Sequence, residues 1–200
     1  MGLPFKRLLL VLVVGLMCGC GTVAAPDMRA GGAPDLTVAL VDRPFIDARA
    51  LIIVRHANID VSKKAALGNA LPLLPEGEER AKGLIPMLKD AGITRIVTSP
   101  ALRTQQTAAP VAAALHLKAE EGPAAAADLV GFLAQSAKPG QTILIVHHHS
   151  VMPTLLAELG FKNESEAVDG TEFDRVYVVL PDAERKAYQL LRLRYGGKWE

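Results

Sequence analysis

The stretch Ala50-Leu51-Ile52-Ile53-Val54-Arg55-His56 constrains this chain more than any other. Five apolar residues, three of them β-branched, show no polar alternation and predict a short strand buried on both faces. Such a strand belongs in a sheet covered by helices on both sides. Arg55 and His56 follow where the strand ends, and ligands of open α/β sheets collect just outside the carboxyl ends of strands. A guanidinium and an imidazole at that place suit chemistry on an anionic group.

The rest of the chain repeats the pattern. Pro75-Glu76-Gly77-Glu78-Glu79 puts acids in the first turn of a helix that runs to about Asp90 and stops near Gly92, with a kink or a break expected from Pro86. Ile93–Thr98 predicts a second strand. Ser99-Pro100 offers an N-cap and a first-turn proline for a helix from Ala101 to about Leu115, with Arg103 in its first turn. Leu117–Glu121 contains a short strand, and Asp128–Ala137 is a helix ended by Lys138-Pro139-Gly140. Gln141–Val146 is a clear strand that runs into His147-His148-His149, and a helix spans Met152 to Leu159. Val176–Leu180 and Gln189–Leu193 predict a final hairpin, and Leu36–Val41 an extra edge strand. Strands alternating with helices indicate an α/β domain with a largely parallel sheet. In such a sheet the carboxyl ends share an edge. Arg55-His56, Ser99…Arg103 and the three histidines then converge, and two arginine forks match phosphoryl oxygens.

The N-terminus reads as an export signal. Lys6 and Arg7 precede an apolar run, Leu8–Met17, that is shorter than the ~20 residues of a membrane span,. Cys18-Gly19-Cys20 then resembles a bacterial lipoprotein processing site, with Cys20 as the lipid-bearing residue. The expected organisation is a signal peptide over 1–19, a Gly/Ala/Pro-rich tether with a possible edge strand over 20–44, and a domain over 45–200. The tether would hold the domain at a bacterial envelope membrane, and Gly21 after the cysteine suggests the outer membrane. No cysteine follows Cys20, so neither a disulfide nor a thiol nucleophile is available to the domain,. Without Lys6 and Arg7 the chain is nearly neutral and carries no basic cluster, which argues against nucleic acid as a partner.

Four segments carry a specific resemblance: Val54-Arg55-His56-Ala57; Pro75-Glu76-Gly77-Glu78-Glu79-Arg80-Ala81; Thr98-Ser99-Pro100-Ala101-Leu102-Arg103-Thr104-Gln105-Gln106-Thr107-Ala108; and Ile145-Val146-His147-His148. In this order they resemble the histidine phosphatase superfamily (phosphoglycerate mutase-like). The resemblance implies a three-layer α/β/α sandwich with a mostly parallel central sheet. It also implies His56 as a nucleophile that becomes a phosphohistidine, with Arg55, Arg103 and a second histidine holding the phosphoryl group. No metal or cofactor is implied, because the arginines supply the positive field. His148 falls in the second-histidine slot, and Pro153 five residues later supports that register. His147 and His149 stand where the family usually has small residues. Successive strand residues point oppositely, so the three cannot ligate one ion from an ordinary strand.

The family often carries a carboxylic general acid between the second arginine and the second histidine. Here the connection is short and offers Glu120, Glu121 and Asp128, with Asp60 an outside candidate; Asn58 stands where many relatives have Glu. Thr107 and His116 read as structural. The expected function is a metal-independent phosphatase of the histidine acid phosphatase type, acting on small phosphomonoesters or phosphoramidates. The alternative is a catalytically weak or inactive envelope-anchored module that binds anions on the same fold.

Overall fold

The computed structural model describes residues 37–40, 45–161 and 172–195. The export signal over 1–19, with Cys20, and the tether up to residue 36 lie outside the described residues. So does the segment 162–171.

Among the described residues seven strands form one sheet, in the order β1-β7-β6-β2-β5-β3-β4. They are β1 (Thr37–Leu40), β2 (Ala50–Arg55), β3 (Arg95–Thr98), β4 (Ala119–Glu121), β5 (Thr142–His147), β6 (Arg175–Asp182) and β7 (Ala187–Arg194). The pairs β2·β5, β5·β3 and β3·β4 are parallel, and β2·β6, β6·β7 and β7·β1 are antiparallel. The predicted parallel arrangement thus holds for the half that follows the βα pattern. The C-terminal hairpin, which has no crossover helix, joins the other side and pairs with β1 as its edge strand.

The helices are α1 (Lys64–Leu67), α2 (Pro75–Lys82), α3 (Leu84–Leu88), α4 (Leu102–Ala114), α5 (Ala126–Ser136) and α6 (Met152–Glu158). Alternate residues of β2 feed two separate cores. Leu51 and Ile53 pack with Leu129 and Leu133 of α5 and with Leu155 and Leu156 of α6. Ile52 and Val54 pack with Leu84 and Leu88 of α3 and with Ala108, Val111 and Ala112 of α4. Two cores flanking one sheet are the α/β/α sandwich expected from the unbroken apolar run in β2.

The predicted helix from Pro75 is two helices, and the break falls at Gly83 rather than at Pro86. Pro86 has no N–H to give the Lys82 carbonyl, so the first helix ends one turn earlier. In the new helix Pro86 occupies the first turn, where that N–H is not required. Gly77 packs so closely on the chain leaving β2 that a Cβ there would collide with the Asn58 carbonyl oxygen. The connection 58–75 carries three short helical turns over 61–70, all of whose residues are exposed.

Candidate active site

β2, β5 and β3 end side by side, which sets their following residues on one edge. Arg55 is in register with His147, and the His56 N–H donates to the His147 carbonyl at 2.8 Å. The His56 and His148 rings meet edge-on at 5.3 Å between centroids. Arg103 stands in the first turn of α4, which begins just beyond β3. Arg55, His56 and Arg103 are all buried, and His148 is partly so.

His56 Nδ1 lies 2.8 Å from the Ala57 carbonyl oxygen. A carbonyl only accepts, so Nδ1 carries the proton and, in the neutral ring, Nε2 keeps a lone pair. The ring is held neutral, with a pKa lowered to about 2. Burial is the main cause; repulsion from a proton on His148, were it charged, and from the Arg55 and Arg103 guanidiniums adds to it. His148 is lowered to about 3, again first by burial and then by Arg103. Burial also lowers His147, whose Nε2 contacts the Pro123 carbonyl at 3.2 Å, and His149. Among the three consecutive histidines, His148 is the one whose ring meets His56. No three His, Cys, Asp or Glu side chains among the described residues are grouped to hold a metal ion.

Both arginines are anchored by main-chain carbonyls. Arg55 Nη1 donates to Glu172 O at 2.6 Å, and its guanidinium stacks on Phe173 at 3.8 Å from the ring centroid,. Arg103 Nη1 donates to Gly68 O at 2.9 Å. Arg103 Nε and His148 Nδ1 are buried polar atoms with no hydrogen-bond partner among the described residues. Buried polar atoms are rarely left so, and Arg103 Nε is a donor an anion could take.

Every carboxylate singled out as a candidate acid is engaged elsewhere or exposed. Glu120 pairs with Arg95 at 2.5 Å on the surface. Glu121 accepts from Gln105 Nε2 at 3.0 Å. Asp128 is exposed in the first turn of α5, and Asp60 caps the turn at Ser62. Asn58 accepts from Arg80 Nε at 2.7 Å. Glu172, next to Phe173, is bound by Arg175 and Arg194, which hold its carboxyl down at about 2. That group stays ionised and cannot donate a proton near neutral pH.

Three roles were not legible in the sequence. Ser99 is not an N-cap, because Ala101 occupies that position; its Oγ instead contacts Thr104 Oγ1 and His148 Nε2, both at 2.9 Å. Thr107 does more than pack: its Oγ1 accepts from the Ala57 N–H at 2.9 Å and donates to Arg103 O at 2.7 Å. Glu172 and Phe173 come from the far end of the chain, and no local signal ties them to Arg55.

Residues 51–125 match the model of the histidine phosphatase superfamily (branch 1). No curated protein matches the chain. Among solved structures, the protein histidine phosphatase SixA complexed with tungstate is 22% identical at a TM-score of 0.55, covering 72% of this chain and 96% of that one. The mycobacterial glucosyl-3-phosphoglycerate phosphatase with inorganic phosphate is 14% identical at a TM-score of 0.56, covering 74% and 98%. Phosphoserine phosphatase from Entamoeba histolytica, in complex with 3-phosphoglyceric acid, is 14% identical at a TM-score of 0.55, covering 74% and 98%. These likenesses establish the fold. The family match adds a likeness to the histidine phosphatase superfamily over residues 51–125, under half of the chain.

Proposed function

We propose that the protein hydrolyses small phosphomonoesters or phosphoramidates through a phosphohistidine on His56. The observation that carries this reading is the buried, neutral His56, whose Nδ1–H is spent on the Ala57 carbonyl and whose Nε2 lone pair is left among Arg55, Arg103 and His148. A neutral imidazole in a positive field is a nucleophile for an anionic phosphoryl group. Nε2 forms a bond to phosphorus while the bond to the leaving-group atom breaks, and its electron pair departs with that atom. Water then attacks the phosphohistidine, the P–N bond breaks and the pair returns to Nε2; one water proton stays on the inorganic phosphate and the other passes through solvent to the released leaving-group anion. Arg55 and Arg103 balance the charge on the phosphoryl oxygens in both steps.

Among the described residues the candidate acids named above bond to Arg95, Gln105 or Ser62 or face solvent rather than the histidines, which supports substrates whose leaving group needs little protonation: aryl phosphates, acyl phosphates and phosphoramidates. The domain acts, in this reading, at a bacterial envelope membrane to which a lipid on Cys20 ties it.

The test is the compact unit over 34–200, which keeps β1, assayed with an aryl phosphate beside His56→Gln. The wild type should turn over and yield an acid-labile phosphoenzyme in a rapid quench, and the variant should do neither. Turnover in His56→Gln above one-hundredth of wild type would overturn the assignment. Phosphate binding without turnover in the wild type would identify an anion-binding module instead.

A further inference from the structure

Two buried hydroxyl groups, of Ser99 and Thr104, form a chain of contacts that ends on His148. Thr104 Oγ1 lies 2.6 Å from the Ala101 carbonyl and 2.9 Å from the Ser99 carbonyl. Carbonyls only accept, so the Thr104 hydroxyl proton is committed to them. At the 2.9 Å contact between the two hydroxyls Ser99 is therefore the donor. Its one proton is then used, and at the 2.9 Å contact with His148 Nε2 the imidazole must donate,. The Ala101 N–H approaches the remaining lone pair of Ser99 Oγ at 3.4 Å. Ser99 and Thr104 are completely buried, so water does not compete for these positions.

We propose that the Ser99–Thr104 hydroxyl pair fixes His148 as its Nε2–H tautomer, making Ser99 a positioning residue for the second histidine of the site. His148 Nδ1 is then a bare acceptor, available to a ligand atom that carries a proton, and it is buried without a partner among the described residues,. Burial and the charge of Arg103 keep the ring neutral before an anion arrives, so a single tautomer is the relevant state. Both hydroxyls belong to the β3–α4 segment that also supplies Arg103. One segment thereby sets the phosphate-binding cation and the protonation pattern of the histidine beside it.

The consequence for turnover rests on the phosphatase reading; the tautomer does not. The experiment uses protein carrying isotope-labelled histidine, in which ring-nitrogen chemical shifts distinguish the two tautomers, with the His148 signals identified by their loss in His148→Asn. Wild-type His148 should show a protonated Nε2 and a bare Nδ1 near neutral pH. Ser99→Ala and the isosteric Thr104→Val should produce a mixture of tautomers, whereas Thr104→Ser, which keeps the hydroxyl, should retain the wild-type pattern. With an aryl phosphate, Ser99→Ala should lower kcat about tenfold while KM changes less, the scale of one lost hydrogen bond. A protonated Nδ1 in the wild type would overturn the proposal without any variant. So would a tautomer left unchanged by both Ser99→Ala and Thr104→Val. A wild type with the Nε2–H pattern but no turnover would support the tautomer assignment and refute the phosphatase reading.

Discussion

His56 shows how a single side chain acquires its chemistry from its surroundings. An exposed histidine has a pKa of about 6.5 and would be half charged at that pH. The sequence identifies the two arginines that oppose a second positive charge, but burial is the larger cause of the shift. This has a consequence for stability. Below pH 6.5 the unfolded chain binds protons on His56, His147 and His148 that the folded chain refuses, so stability falls as pH falls,. Carboxylates held down in the folded state, such as Glu172, lose their contribution only below about 4.5, the ordinary Glu value. The interval from 6.5 to 4.5 therefore belongs to the histidines. Urea midpoints should drop between pH 7 and pH 5 in the wild type and drop less in His56→Gln; equal drops in both would refute the assignment.

At the scale of elements, α4 organises the site. Arg103, Thr104 and Thr107 share one face by their i, i+1 and i+4 spacing at the helix start, and all three are buried against the strand ends,. Thr107 holds the Ala57 N–H, and Ala57 in turn holds His56 Nδ1. Gln106 accepts from the Leu73 N–H at 2.9 Å and ties down the loop before α2. Replacing Thr107 by the isosteric valine leaves the Ala57 N–H buried without an acceptor. The expected cost is about 1–3 kcal/mol, read as a lower urea midpoint, together with a lower kcat because the His56 main chain loses its anchor. Unchanged stability and unchanged kcat in Thr107→Val would show that α4 does not position the nucleophile.

For the whole molecule, the prediction concerns what is missing from the site edge. Glu120, Glu121 and Asp128 lie on the surface of the β3–β4–α5 side. Glu120→Gln, Glu121→Gln and Asp128→Asn should each leave the aryl-to-alkyl phosphate rate ratio within about twofold, and that ratio should be large because alkyl leaving groups need a proton donor. A mutation that selectively slowed alkyl esters would identify that carboxylate as the acid. The lipid tether is tested on the full chain in a bacterial host. Cys20→Ser should lose incorporated fatty acid and membrane retention, and lipid found on Cys18 alone would contradict the processing expected from Gly19-Cys20.

The sequence by itself determined the β2 strand, the βα succession and the grouping of Arg55, His56, Arg103 and the histidine run. These follow from local periodicity and from the rule that parallel strands end on a common edge. It also singled out His148 by register. The tertiary structure alone decided that Ser99 turns away from helix capping toward His148. It alone decided that Thr107 grips Ala57, that Phe173 lies on Arg55, and that the candidate acids pair with Arg95 or Gln105 or face solvent. Each of these is a hydrogen bond or ring contact whose partner lies on another element or at a distance set by packing. A chain read residue by residue carries no period or spacing that encodes such a pairing.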